Sequence, residues 1–428
     1  MKTIKYPTIE QYAEICERPH MDVSQLNAIV ADVLADIKAN GDKAVIAYEE
    51  KFDHVQLPQL AVTEAEMQEA EQLIDKDLKD ALILAHSNIA KFHESQKFEG
   101  SKVETAPGVV CWQKSVAIEK VGLYIPGGTA PLFSTVLMLA TPAKIAGCKE
   151  IVLCTPPNRE GKVNPAILMA AKVAGVSQIF KAGGVQAIGA MAYGTESVPK
   201  VYKIFGPGNQ FVMAAKQQVS LHDAAIDMPA GPSEVLVIAD ETSNPQFVAA
   251  DLLSQAEHDE LASAILVTTS DKLADEVEKE IEGYLPKLSR REIIEKSLEN
   301  YGYLLVCDNM QDAIDTVNEI ASEHLEIVTR DPWETMTHIK NAGAMFLGEY
   351  SSEPLGDYFA GPNHVLPTNG TAKFFSVLSV DDFIKKTSII SYSRDALKEV
   401  YKDVMQFAEC EKLTAHANSV GVRFEDED

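Results

Sequence analysis

The chain has 428 residues, 46% of them apolar and 24% charged, an ordinary globular composition too long for one hydrophobic core, so two or more domains are expected. Acidic residues outnumber basic ones by 64 to 38, and the formal charge of −26 repels phosphate backbones and anionic lipid, which excludes nucleic acid and membrane surfaces as expected partners. The cysteines Cys16, Cys111, Cys148, Cys154, Cys307 and Cys410 are dispersed without a CxxC pair, which argues against a disulfide framework or cysteine zinc site and for a reducing compartment.

The opening segment MKTIKYPTIEQYAEIC lacks an apolar core followed by a small-residue cleavage site, so residues 1–20 read as an N-terminal arm and not as a signal peptide. From 21 to 95 the pattern is helical. VSQLNAIVADVLADIKANG spaces its apolar residues three and four apart and predicts a helix end at Gly41, a C-cap. TEAEMQEAEQLIDKDLKDALILAHSNIAKFHESQ is a second amphipathic stretch of strong helix formers, in which His86 and His93 read as surface or half-buried residues. TVLMLATPAKIAG comes nearest to a membrane span, but Pro142 and Lys144 interrupt it short of the roughly 20 apolar residues needed. The cytoplasm is therefore the expected location.

The middle of the chain changes character. EKVGLYIPGG, KEIVLCTPP, SQIFKAGG, KVYKIFGPGN and SEVLVIAD are short apolar runs ending in Gly, Pro or Asp, with PAILMAAKVAG and VQAIGAMAYG as helix-like segments between them. Strands alternating with helices at this spacing predict parallel β-α-β units covered on both faces. A second alternation follows: helix 245–258, strand SAILVTTS, helix 271–284, strand YGYLLVCD, helix 311–322, then LEIVT and AGAMFLG. The expected fold is α/β, with two incomplete Rossmann-like parallel-sheet domains and helical N- and C-terminal extensions. The expected first domain joins 21–121 to 236–380 and carries the metal and the catalytic base; the second is 122–235, on the cofactor side; and 381–428 is a helical C-terminal arm ending in RFEDED.

Parallel sheets bind ligands where Gly-rich turns at strand ends let backbone approach phosphate or ribose. Three turns fit: Gly127-Gly128, Gly183-Gly184, and Gly206-Pro207-Gly208-Asn209. None completes a G-x-G-x-x-G fingerprint, and each alone reads as a tight turn. Three at successive strand ends also suit a nucleotide-like ligand, with Tyr124, Gln186 and Asn209 placed to hydrogen-bond it.

Gln255 and His258 sit at i and i+3, on one face of the helix opened by Asn244-Pro245. Alone this pair also reads as a solvated helix face; a metal site needs more ligands. Asp357, in a Gly/Pro-bounded loop after AMFLG, and His416 are the candidates. Nitrogen and oxygen ligands without sulfur suit zinc, with cobalt or manganese as replacements. Glu323-His324 offers two proton acceptors to one site, or a pair of helix-terminal caps. Cys111 and Cys154, the two cysteines near the glycine turns, are candidate nucleophiles, though neither has a neighbouring base in sequence. On these residues alone, a hydrolase with Glu323 activating water, or a metal-stabilised scaffold, also stays open.

Taken together, GLYIPGGTAPLFSTVLM, GPGNQFV, DMPAGPSEVLVIAD, DLLSQAEHD, SEHLEI, GPNHVLPTNGTAKF and EKLTAHA resemble, in order, the landmarks of the histidinol dehydrogenase family, from about Val121 to Ala417. The resemblance implies a homodimer performing the last step of histidine biosynthesis: oxidation of L-histidinol through the aldehyde to L-histidine, with two NAD reduced at one zinc site. It implies zinc held by Gln255, His258, Asp357 and His416, with Glu323 and His324 as catalytic bases. Ser233, His364 and Glu411 would join these ligands and His324 around the substrate, and Tyr124, Gln186 and Asn209 would contact NAD. It also implies that the C-terminal arm crosses to the partner subunit, where Glu411 and His416 complete the neighbour's site. Three departures stand out: Lys412 where a glycine is common, Phe133 for a usual proline, and Lys373 where arginine is frequent. A related family oxidises other alcohols on the same scaffold; retention of His364, Glu411 and His416 favours histidinol.

Overall fold

The computed structural model describes residues 1–8, 11, 15, 23–127, 131–229 and 231–425. Much of the expected N-terminal arm, Cys16, Gly128 and the last three residues of the acidic tail lie outside the described residues. In chain order the strands are β1 (Lys2–Lys5), β2 (Val103–Ala106), β3 (Val109–Ala117), β4 (Lys120–Tyr124), β5 (Glu150–Thr155), β6 (Gln178–Lys181) and β7 (Lys203–Phe205). Then come β8 (Ala225–Ile226), β9 (Glu234–Ala239), β10 (Ser263–Thr268), β11 (Gly302–Val306), β12 (His324–Val328), β13 (Ala344–Leu347) and β14 (Ile384–Tyr392). The chain divides into two units, Met1–Gln96 with Ile118–Phe383, and Lys97–Ala117 with Ile384–Asp428.

The first unit is α/β, as expected. One sheet has the order β6-β5-β4-β7-β8 and the other β1-β11-β10-β9-β12-β13, and every pairing in both is parallel. Central strands such as β5 and β9 are almost wholly buried apolar runs because both of their faces are covered. In β5, Val152 and Cys154 enter one core cluster while Ile151 and Leu153 enter another, the two-residue period of a strand. β9 divides the same way, Val235 and Val237 to one side, Leu236 and Ile238 to the other.

The division of residues differs from the expected one. The Val23–Tyr48 helix, expected to belong with 236–380, buries Val30, Val33, Leu34 and Ile37 against Val152, Cys154, Ile188 and Ile204 of the five-stranded sheet and its helices. The Lys76–Glu94 helix covers that sheet's other face through Leu82, Ala85 and Ile89. The physical reason is that the crossover helices leave apolar sheet surface for these stripes to bury. Residues 97–117 leave the first unit altogether, and β1 joins the six-stranded sheet at the edge, beside β11.

The expected helix end at Gly41 is a kink: Gly41 has φ +52°, and helix resumes to Tyr48. A Cβ there would lie 2.3 Å from the Glu196 carboxylate, which accepts from Asp42 N at 2.8 Å, so the site takes glycine. His93, expected at or near the surface, is fully buried; its Nδ1 lies 2.8 Å from Ile89 O, and its Nε2 lies 3.3 Å from Asn363 Nδ2.

The second unit contains an antiparallel sheet, β14-β3-β2, with Ile384 opposite Ala117 and Tyr392 opposite Val109. The segment expected to be a helical arm thus begins with a strand. Only then come the helices Arg394–Cys410, N-capped by Ser393, and Thr414–Gly421.

Candidate active site

The chemistry gathers at the amino ends of β9 and β12. Asn244 and Pro245 start the Pro245–Ala256 helix, which ends with Gln255 fully buried and His258 just beyond. Facing them is the Glu353–Tyr358 helix, which follows β13. It replaces the loop expected around Asp357, and it sets Glu353 and Asp357 at i and i+4 on one face. His258, Glu353 and Asp357 bring ligand atoms within 4.8 Å of one another. Glu353 was not singled out from sequence, although its four-residue spacing from Asp357 after Ser352 was a usable signal.

His324 opens β12 and Glu323 immediately precedes it, beyond the Ala321 cap of the preceding helix, so they are not helix caps. Both are buried. Glu323 accepts from Glu234 N at 2.9 Å and lies 3.6 Å from His324 Nδ1. That Nδ1 is 3.1 Å from Glu234 O. A carbonyl can only accept, so Nδ1 carries the hydrogen and the neutral ring keeps its lone pair on Nε2. Nε2 makes no hydrogen bond and stands 3.6 Å from Asp357 Oδ1. His364 Nδ1 lies 3.1 Å from Asp357 O, leaving its Nε2 as the acceptor in the same way.

Charge in this cluster is strongly perturbed. Burial pushes the Glu323 carboxyl up to about 8, against the pull of His324 and the Glu234 N–H. Burial likewise brings Glu353 to about 7. Burial alone would lower the His324 imidazole, but Glu323, Asp357 and Glu353 outweigh it and hold the ring up to about 10. Burial would raise Asp357 too, yet its imidazole neighbours keep it below the usual carboxylate range. With its amide nitrogen toward Glu353, 3.0 Å away, Gln255 accepts from Glu234 N at 2.7 Å. Turned over, the amide oxygen would face carboxylate oxygens, which a cation between them would make favourable. One imidazole nitrogen, carboxylate oxygens and an amide oxygen, without sulfur, fit a zinc-type ion.

Tyr124, Gln186 and Asn209 come together elsewhere, around one cavity of about 820 Å³ at the carboxyl ends of the five-stranded sheet. Each also has a structural partner. Gly184 N donates to the Tyr124 hydroxyl (3.1 Å), Gln186 donates to Glu49 (2.9 Å), and Asn209 caps the Gln210–Ser220 helix. The GPGN turn is held from behind by Lys216, which donates to Gly206 O at 2.8 Å and pairs with buried Asp227. Gly206 has φ +121°, and a Cβ on it would meet Tyr124 O at 2.1 Å.

A family profile described as histidinol dehydrogenase matches residues 16–424. The histidinol dehydrogenase of Bacteroides fragilis is 58% identical over 426 residues, covering 100% of this chain and 99% of that protein. That of Clostridium acetobutylicum is 50% identical over 96% of each chain. A crystal structure of histidinol dehydrogenase from Elizabethkingia anophelis matches with a TM-score of 0.97 at 46% identity, covering 100% of this chain and 98% of that one. The chain belongs to the histidinol dehydrogenase family.

Membership makes it an NAD-dependent oxidoreductase of histidine biosynthesis and sets aside the hydrolase and scaffold readings. Ser233 immediately precedes Glu234 and is half-buried. Glu411 and His416 belong to the second unit, Glu411 ending the Arg394–Cys410 helix and His416 exposed on Thr414–Gly421. Lys412, where glycine is common in the family, has φ +62°, the left-handed conformation that glycine takes without strain. Cys154 is fully buried and burial drives its thiol far up, away from nucleophilic form, while Cys111 lies in β3 of the second unit. Among the described residues, no helix is long and apolar enough to cross a membrane.

Proposed function

We propose that the chain oxidises L-histidinol to L-histidine through the bound aldehyde, reducing two NAD, in the cytoplasm. The observation that carries this is the convergence of His258, Glu353 and Asp357 beside Glu323 and the unpartnered Nε2 of His324. Gln255, His258 and Asp357, with His416, would hold one zinc ion, the Gln255 amide then turning its oxygen, and not its nitrogen, toward Glu353 and the ion. Zinc, when bound, would supply a Lewis acid at the substrate, and NAD would supply the hydride acceptor. Ser233, His364 and Glu411 also hold the substrate. Tyr124, Gln186 and Asn209 hold the dinucleotide.

With a divalent cation offsetting the carboxylates that otherwise hold its ring protonated, His324 would take the hydroxyl proton at Nε2 as the carbon loses hydride, giving aldehyde; its Nδ1–H on Glu234 O keeps the ring in that tautomer. Glu323 removes a proton from the water that attacks the aldehyde. His324 then takes a proton from the hydrated aldehyde as a second hydride leaves, giving the carboxylate. The division into residues 122–235 for the dinucleotide and 236–380 for the metal and bases follows from where these groups lie in sequence. Glu411 and His416 come from the partner's arm, so a homodimer carries two shared sites.

The test is the ratio of NADH formed to histidinol consumed by zinc-loaded protein. Two NADH per histidinol, lost with chelator and regained with zinc, is expected. One NADH with aldehyde released, or full activity after verified zinc removal, refutes the proposal.

A further inference from the structure

The cavity around Tyr124, Gln186 and Asn209 has a feature that the reaction does not explain: an acidic wall without a counter-ion. Among the described residues that line it there is no Lys, Arg or His, and Asp53 is the one charged side chain. Lys51 lies over the rings of Tyr48 and Phe52 and His54 adjoins Asp53, but neither lines the cavity. Behind Asp53 is Glu49, fully buried, whose Oε1 accepts from Gly183 N at 2.8 Å and from Gln186 Nε2 at 2.9 Å. Gln186 Nε2 also reaches Asp53 Oδ2, at 3.4 Å. The amide of a residue expected to touch the dinucleotide is thereby locked onto the carboxylate pair. A second observation also points to a ligand. Thr155, at the carboxyl end of β5, lines the cavity and is fully buried, yet its hydroxyl has no hydrogen-bond partner. A buried hydroxyl left unpaired costs stability unless something polar meets it.

The cavity's parts suit one half of a dinucleotide. The helices Gly184–Tyr193 and Gln210–Ser220 present their N-terminal ends to it, the place where a pyrophosphate is held without a cationic side chain. Ile29, Val33 and Phe52 give an apolar wall for a base next to Asp53. A carboxylate there accepts from the two hydroxyls of a ribose. Facing a 2′-phosphate it repels, and no lining cation offsets the repulsion. Burial pushes the Glu49 carboxyl up to about 7 and raises Asp53 as well, so near neutrality the pair shares a proton and still presents one acceptor face.

We propose that Asp53, held by Glu49 and Gln186, is the residue by which this cavity selects the dinucleotide lacking a 2′-phosphate, binding its ribose diol and rejecting the phosphorylated form. This rests on the reading that the cavity takes NAD.

The test compares kcat/KM for NAD and for NADP in the full-length zinc-loaded enzyme, its Asp53→Asn variant and its Asp53→Ser variant, with folding checked by thermal melting. The expected result is a fall in the NAD-to-NADP ratio of about tenfold or more in any variant that folds, equivalent to about 1.4 kcal/mol. An unchanged ratio in a folded variant overturns the proposal. Hydrogen exchange of the wild type with and without NADH separates the two ideas. Protection of 124–127, 184–186 and 209–212 upholds the cavity reading, so an unchanged ratio then sinks Asp53 alone; absence of protection sinks both.

Discussion

Glu323 and His324 are neighbours in sequence, but the strand pleat separates their tasks. Glu323 faces the Glu234 amide, while His324 faces Asp357 and the other ligand groups. Glu323→Gln keeps the shape and the hydrogen bond from Glu234 but cannot take a proton. Oxidation of the aldehyde should fall by about 10²-fold or more, with alcohol oxidation affected much less. Single-turnover NADH formation from each substrate measures this, and equal losses would remove Glu323 from water activation. Glu49 gives a second prediction at this scale. Its folded value of about 7 lies above the ordinary 4.5, so the folded state keeps a proton that the unfolded chain has already lost. Stability contributed at this site is therefore greatest at low pH and falls as pH rises from about 4.5 through about 7, by on the order of 3 kcal/mol. Glu49→Gln mimics the protonated acid: its oxygen still accepts from Gly183 and Gln186. Relative to wild type it should gain melting temperature at pH 8 compared with pH 5; a pH-independent difference would show that Glu49 titrates normally.

Elements were legible where one local rule decided them. KEIVLC and SEVLVIA read as strands because a parallel sheet buries both faces, and no other element suits so short an apolar run between Gly and Pro. IKKTSIISY was read into a helical arm because its lysines and serines leave no apolar stripe; it is a strand only because β3 lies beside it, a long-range pairing that local composition does not encode. Which sheet the N-terminal helices cover is equally non-local. Asp357 stands out in the sequence, but Glu353 does not, because the segment reads as loop. The turn at Gly206 was visible in sequence, while its clamp was not: Lys216 and Asp227 are 11 residues apart and meet only once the Gln210–Ser220 helix has formed. Lys216→Met should destabilise the fold by about 3–5 kcal/mol, since Asp227 stays buried without its partner. Adding Asp227→Asn should recover much of that loss. Chemical denaturation of the single and double variants decides it, and a double variant as unstable as the sum of the singles would deny the clamp.

At the scale of the whole molecule, the first unit supplies His258, Glu353, Asp357, Glu323 and His324, while His416 and Glu411 belong to the second unit. The proposed homodimer, in which each arm completes the neighbour's site, makes a quantitative prediction for mixed dimers. In His416→Ala the arm is defective and the body intact; in His324→Ala the reverse holds. Each variant alone should be nearly inactive. After unfolding and refolding together in equal amounts, half of the dimers are mixed. In each of these, one site joins the intact body to the intact arm and the other combines both defects. Activity should therefore return to about a quarter of wild type. If each chain instead completed its own site, every site in every dimer would carry one defect and mixing would restore nothing. Zinc content of the same mixture is the control: His416→Ala alone should bind less than one ion per chain, and because half of the arms stay intact however the chains pair, the mixture should hold the mean of the two variants' contents. Activity that returns while zinc stays at that mean shows that re-pairing of arms with bodies, and not added metal, restores turnover.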